Sequence, residues 1–90
     1  MSSFLLGKPD VKVTTYPNPF TLTFRLKMET NSDAPVNIRL MDIGGRIIEN
    51  HELPVNDLFT KEFGTDCIAG VYIVVVTQGQ SVNTLRLVKQ

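Results

Sequence analysis

Ninety residues, 42% of them hydrophobic and 20% charged, suffice for one domain with a modest core and argue against a disordered chain. Nine basic side chains balance nine acidic ones, which removes the electrostatic footprint of a nucleic-acid or membrane-surface binder. The lone cysteine, Cys67, forms no internal disulfide, so stability must come from packing.

Residues 1–10 read as a linker ahead of a domain over 11–90. Phe4-Leu5-Leu6 is too short for a signal-peptide core and follows no basic residue. Met1-Ser2-Ser3 reads as an artificial start, and Gly7-Lys8-Pro9-Asp10 as the polar end of the linker. Val11 to Tyr16 reads as a first strand, stopped by Pro17-Asn18-Pro19, whose prolines fix φ and push Tyr16 and Asn18 toward extended backbone. From Thr21 to Met28 every even position is apolar and every odd one is hydroxyl-bearing or basic, which predicts a strand with one core face and one wet face. Val36 to Leu40 repeats the alternation; the apolar phase then slips across Met41-Asp42-Ile43, which predicts a bulge or a doubly buried strand end. Gly44-Gly45 supplies a hairpin turn, with Arg46 to Leu53 as the returning strand. Pro54 to Asp57 reads as a turn, Leu58 to Phe63 as a short strand, and Gly64-Thr65-Asp66 as its break. Val71 to Thr77 is β-branched and apolar on both faces, as a central strand is. Gln78 to Ser81 turns the chain, and Val82 to Lys89 closes it with Leu85 and Leu87 on one face.

No window of helical length keeps a 3.6-residue apolar period without breakers. The longest apolar run, Val71 to Val76, is too short to span a bilayer. About seven short strands predict an all-β, antiparallel, immunoglobulin-like β-sandwich, with a small barrel as the alternative. The expected core is Phe24, Leu26, Ile38, Leu40, Tyr72, Val74, Leu85 and Leu87.

The inventory of reactive groups argues against an enzyme. His51, the one histidine, lies between Asn50 and Glu52 in an alternating segment and reads as an exposed strand residue without catalytic partners. Cys67 beside Ile68-Ala69 reads as a small buried apolar residue, not a reactive thiol. One Cys and one His are too few for zinc, and Asp33, Asp42, Asp57 and Asp66 sit in or beside turns without EF-hand spacing. The glycines form no phosphate-cradling pattern, and no Asn-x-Ser/Thr sequon occurs. No catalytic, metal-binding or cofactor-binding residue is therefore assigned. Tyr72 and Phe24 read as core aromatics, not as a sugar-stacking platform. Lys27, Arg39, Arg46, Arg86 and Lys89 would form a basic stripe only if their strands align, and alternating wet faces produce such stripes without function. The residues alone yield a small β-sandwich that binds or carries something.

Three ordered stretches go further. They are Tyr16-Pro17-Asn18-Pro19-Phe20; Met41-Asp42-Ile43-Gly44-Gly45-Arg46-Ile47-Ile48; and Ala69-Gly70-Val71-Tyr72 through Gly79 to Leu85-Arg86-Leu87-Val88-Lys89. In this order they resemble the type A C-terminal sorting domain of the bacterial type IX secretion system, over about Val11 to Gln90. The resemblance marks Pro17, Asn18, Pro19, Asp42, Gly44, Gly45, Arg46, Gly70, Tyr72, Leu85, Arg86, Leu87, Val88 and Lys89 as the sorting motif. The chain departs from the pattern at Cys67-Ile68, where Leu-Pro or Leu-Ser is common, and at Arg86, where lysine is common.

By resemblance, such a domain is a portable export signal at the carboxyl end of a larger cargo protein. It passes through the periplasm, and the outer-membrane secretion machinery recognises it. A sortase-like peptidase commonly removes it, leaving the cargo at the cell surface or outside the cell. The cut is expected in or upstream of Gly7-Lys8-Pro9-Asp10, and neither a cofactor nor direct membrane insertion is implied. The alternative reading is a fibronectin-like accessory module for adhesion, carbohydrate binding or spacing in a multidomain secreted enzyme. Each motif also has a purely structural use: a turn at Gly44-Gly45, a sharp bend or positive φ at Gly70, and ring bulk plus a loop-bonding hydroxyl at Tyr72. Lys89, at the frayed end of the last strand, is expected to be solvated, and Lys89→Glu to change stability by less than ~0.5 kcal/mol.

Overall fold

The computed structural model describes residues 11–90; the expected linker and cleavage region at 1–10 lie outside them. The alternating segments become strands and bury one face each. β1 (Lys12–Tyr16) pairs antiparallel with β2 (Arg25–Glu29), forming a two-stranded sheet. β3 (Val36–Asp42), β4 (Ile47–Leu53), β5 (Gly70–Gln78) and β6 (Ser81–Lys89) form an antiparallel sheet in the order β4-β3-β5-β6. Leu26 and Met28 of the small sheet meet Val36, Ile38, Leu40, Val74, Val76 and Leu87 of the large one in a single core. The result is the expected all-β sandwich, built from six strands.

Sequence details account for the joints. The predicted phase slip is a register shift between Leu40 and Met41 in the β3–β4 pair. Gly45 adopts φ 89° in the hairpin turn, a backbone conformation open to glycine. Asp42 holds that turn: its Oδ1 accepts hydrogen bonds from the amides of Gly44 (3.0 Å) and Arg46 (2.9 Å). β5 is central, as its β-branched sequence predicts, with Tyr72, Val74, Val76 and Gln78 buried on one face. Buried Gln78 is fully engaged: its amide donates to the carbonyls of Ser32 and Ala34 and accepts from the Thr30 hydroxyl.

Four expectations change. Leu58 to Phe63 is not a strand: Val55–Leu58 forms a single helical turn, α1, and Phe63 joins Phe24 in an isolated bridge. Apolar spacing explains this, because Leu58 and Phe63 are both fully buried, and an odd separation of five puts them on opposite faces of a strand. Leu22 is 78% exposed although it fits the alternation of its segment; the regular strand starts only at Arg25. Leu85 packs against the core only partly buried, on the edge strand β6. His51 is half-buried, not exposed: its Nε2 lies 2.8 Å from Glu49 Oε1, and its ring meets Phe63 edge-on at 5.5 Å.

Candidate functional site

The first and third sequence motifs, almost seventy residues apart, meet along the outer edge of β6. β6 has β5 on one side only, so the backbone groups of Arg86 and Val88 that face away from β5 would otherwise be unpaired. The Asn18 side chain supplies partners for them. Its Nδ2 donates to the Arg86 carbonyl at 3.0 Å, and its Oδ1 accepts from the Val88 amide at 3.1 Å. Two residues on, the Phe20 amide donates to the Val88 carbonyl and the Gln90 amide donates to the Phe20 carbonyl, both at 2.9 Å. Pro17 and Pro19 flank Asn18 on the exposed rim and donate no backbone hydrogen bond, so the segment pairs through Asn18 and Phe20.

Phe20 anchors this strap. Its ring is fully buried and meets Phe24 edge-on at 5.0 Å; Phe24 stacks on Phe63 at 5.6 Å. Gly64 lies under these rings at φ 86°, where a Cβ would come within 2.9 Å of Phe20 and 3.1 Å of Phe24. The Gly64 amide donates to Glu49 Oε2 at 2.7 Å. Lys89 is half-buried and engaged rather than freely solvated: its Nζ donates to the Leu22 carbonyl at 3.1 Å and sits 5.1 Å from the centre of the Phe20 ring. The strap beside β6 brings both partners within reach of a side chain that alternation alone left at a free end.

Tyr72 secures the other side of the tail. It pairs with Leu87 across β5 and β6, is buried, and donates its hydroxyl to the Ile68 carbonyl at 2.6 Å. That bond closes the loop leading into Gly70, which takes φ 156°. Burial, and then the neighbouring Cys67, pushes the Tyr72 phenol above its ordinary pKa. Cys67 is itself buried, and burial followed by the Glu49 charge raises its thiol, so it packs as an apolar residue.

The motif residues thus form two adjoining groups. Pro17, Asn18, Pro19, Gly70, Tyr72, Leu85, Arg86, Leu87, Val88 and Lys89 gather around β6. Asp42, Gly44, Gly45 and Arg46 form the β3–β4 turn; Asp42 is the register partner of Tyr72, Asp42 and Arg46 line one open pocket with Gly70 and Tyr72, and the Arg46 side chain is exposed. The basic residues form no single stripe. Lys27 lies on β2, Arg39 and Arg86 share the outer face of the large sheet, and Lys89 turns to Phe20. Among the described residues no three His, Cys, Asp or Glu side chains gather to hold a metal ion. Sequence reading missed the carbonyl of Leu22 and the carboxylate of Glu49; neither belongs to a motif or a spacing rule.

A family model described as a secretion system C-terminal sorting domain matches residues 14–90. The chain belongs to the type IX secretion C-terminal sorting domain family. No curated protein and no solved structure matches it. The sorting-domain match begins in β1 and takes in the strap, the β3–β4 turn and the whole of β6. Its role is therefore that of a type IX secretion signal that interacts with the type IX machinery and directs export toward the cell surface or the extracellular space. Family membership points to a non-catalytic role for the domain.

Proposed function

We propose that this sorting domain is carried at the carboxyl end of a larger cargo protein, passes through the periplasm folded, and is read in folded form at the outer membrane. A sortase-like peptidase then severs it in or upstream of Gly7-Lys8-Pro9-Asp10, and the cargo is anchored at the surface or released. The observation that carries this reading is the family match over residues 14–90. The strap supports recognition of a folded signal: Asn18 and Phe20 hold the terminal strand in a fixed conformation, so the tail is presented as a rigid edge and not as a loose peptide. Pre-ordering lowers the entropy cost of docking to a receptor. On this reading the fourteen motif residues are of two kinds. Pro17, Asn18, Gly45, Gly70, Tyr72 and Leu87 build the fold that presents the signal, and exposed residues such as Arg86 and Arg46 are available to a receptor.

The test is a fusion of residues 1–90 behind a fluorescent protein that a signal peptide delivers to the periplasm of a type IX host. The expected result is fluorescent cargo outside the cell, with a mass reduced by the loss of the domain. Cargo exported at full mass would overturn the cleavage step alone. Cargo retained in the periplasm with the domain folded would overturn the proposed function.

A further inference from the structure

The outer face of the large sheet has no layer over it among the described residues. In a sandwich that face ordinarily alternates to polar residues, yet the central strand β5 presents Val71, Ile73 and Val75 there, each half-buried. Ile43 and Ile47 are 73% and 52% exposed. Ile43, Val71, Ile73 and Thr84 line an open groove of about 420 Å³ together with Arg86 and the edge of the core-facing Leu85. An apolar patch of this kind marks an interaction surface.

Its charges narrow the occupant. Register puts Arg39 opposite Val75 on one side of β5 and Arg86 opposite Ile73 on the other. Two inter-strand spacings separate them laterally, roughly 10 Å. Both side chains are exposed, and neither makes an ion pair among the described residues. The acidic strand residue on this face, Glu52, sits in a separate row, opposite Asn37. An apolar stripe between two free guanidinium groups fits an acidic segment that also carries apolar side chains, with carboxylates reaching the arginines.

We infer that the outer face formed by Arg39, Val71, Ile73, Val75 and Arg86 is the docking surface for an acidic, partly apolar segment of the secretion machinery. This rests on the proposed export function and names the surface and partner chemistry within it. A second copy of the chain is disfavoured, because two such faces would bring arginines toward arginines. An anionic membrane is disfavoured as well: polybasic lipid-binding segments carry about four to eight cations, whereas this face carries Arg39 and Arg86, with Arg46 at its Ile43 end, and the chain has net charge zero.

The test uses the cargo fusion with Arg39→Glu and Arg86→Glu together, and separately with Val71→Thr and Ile73→Thr, which keep β-branched side chains on the strand. Lys12→Glu with Lys27→Glu, on the small sheet, is the control. Melting temperature is measured for each purified domain, and Arg39→Gln with Arg86→Gln replaces the reversal if that variant unfolds. The expected result is export about tenfold slower for the face variants, with melting retained and the control exported normally. Folded face variants exported at the wild-type rate would overturn the inference and leave the export function standing. An unexported wild-type fusion would instead overturn the export function, and the inference with it. Two binding measurements on the purified wild-type chain discriminate the other occupants. Co-sedimentation with phosphatidylglycerol vesicles that is lost in the Arg39→Glu, Arg86→Glu variant would overturn the protein partner in favour of a membrane. A dimer in sedimentation equilibrium that the same variant disperses would overturn it in favour of a second copy.

Discussion

Asn18 occupies the place of a neighbouring strand beside β6, donating to the Arg86 carbonyl at 3.0 Å and accepting from the Val88 amide at 3.1 Å. A carboxamide is the side chain suited to this, since it carries a donor and an acceptor at the spacing of a peptide group. Asn18→Ala removes both bonds and is expected to cost about 1–2 kcal/mol, moderated because the contacts are exposed. Hydrogen exchange locates the loss: Val88 is expected to lose amide protection while Val74, in the buried middle of β5, keeps its own. Equal protection at Val88 in the variant and the wild type would remove the strap from the account.

Gly64 and Gly45 both have positive φ, yet they are expected to respond differently to alanine. At Gly45 a Cβ meets nothing within 4 Å, so the substitution costs only the backbone preference, about 1–2 kcal/mol. At Gly64 the Cβ also collides with the Phe20 and Phe24 rings, and overpacking adds about 1–3 kcal/mol. Chemical denaturation of the two variants gives the comparison directly. Gly64→Ala is expected to be clearly the less stable.

Arg86 and Lys89 separate in the same manner. Arg86→Glu alters an exposed side chain that makes no ion pair among the described residues, and is expected to shift stability by less than ~0.5 kcal/mol. Lys89→Glu loses the bond to the Leu22 carbonyl and the contact with the Phe20 ring, and is expected to cost about 1–2 kcal/mol. This replaces the near-zero effect expected from sequence, and urea midpoints for the two variants measure it.

The pH dependence has two limbs. Hydrogen bonds from Thr23, then from Arg25, together with the Arg25 charge, hold the Glu62 carboxyl below its ordinary value. A lowered folded value means a stabilising contribution that is complete above the unfolded pKa, about 4.3, and is lost as pH falls through the folded value. Glu62→Gln is therefore expected to flatten the acid limb of a melting-temperature profile. Burial raises Tyr72, and Cys67 shifts the same way for the same first reason. Their contribution is complete below the unfolded values, about 8.5 for a thiol and 10 for a phenol, and is lost as pH rises above them. Tyr72→Phe is expected to soften the alkaline limb, and to cost about 1 kcal/mol at neutral pH through the lost bond to the Ile68 carbonyl.

Local rules carried much of this fold in the sequence. Period-two alternation located β2, β3 and β6, the Pro17-Asn18-Pro19 stop marked the end of β1, the apolar run identified β5 as central, and Asp42 with Gly44-Gly45 marked the turn. These signals act between residues close in the chain. Alternation failed at Leu22, in an exposed bend between buried Phe20 and Phe24, and at Leu58 to Phe63, where two buried side chains are set by a helical turn and a lone bridge. The strap was not legible. Asn18 and Arg86 are 68 residues apart, and no periodicity states which strand edge a distant asparagine will close. The outer-face arginines were visible as charges, but their common face appears only when the β3-β5-β6 register is known.

Export assayed in two hosts bears most directly on the central claim that this folded domain is a sorting signal. The 1–90 fusion to a periplasm-targeted fluorescent protein is expressed in a type IX host and in the same host lacking its outer-membrane translocon, and the ratio of external to periplasmic fluorescence is recorded. The account predicts a high ratio only where both the domain and the translocon are present, with the cargo held in the periplasm when either is missing. A ratio unaffected by removing the translocon, or no higher with the domain than without it, would contradict the account.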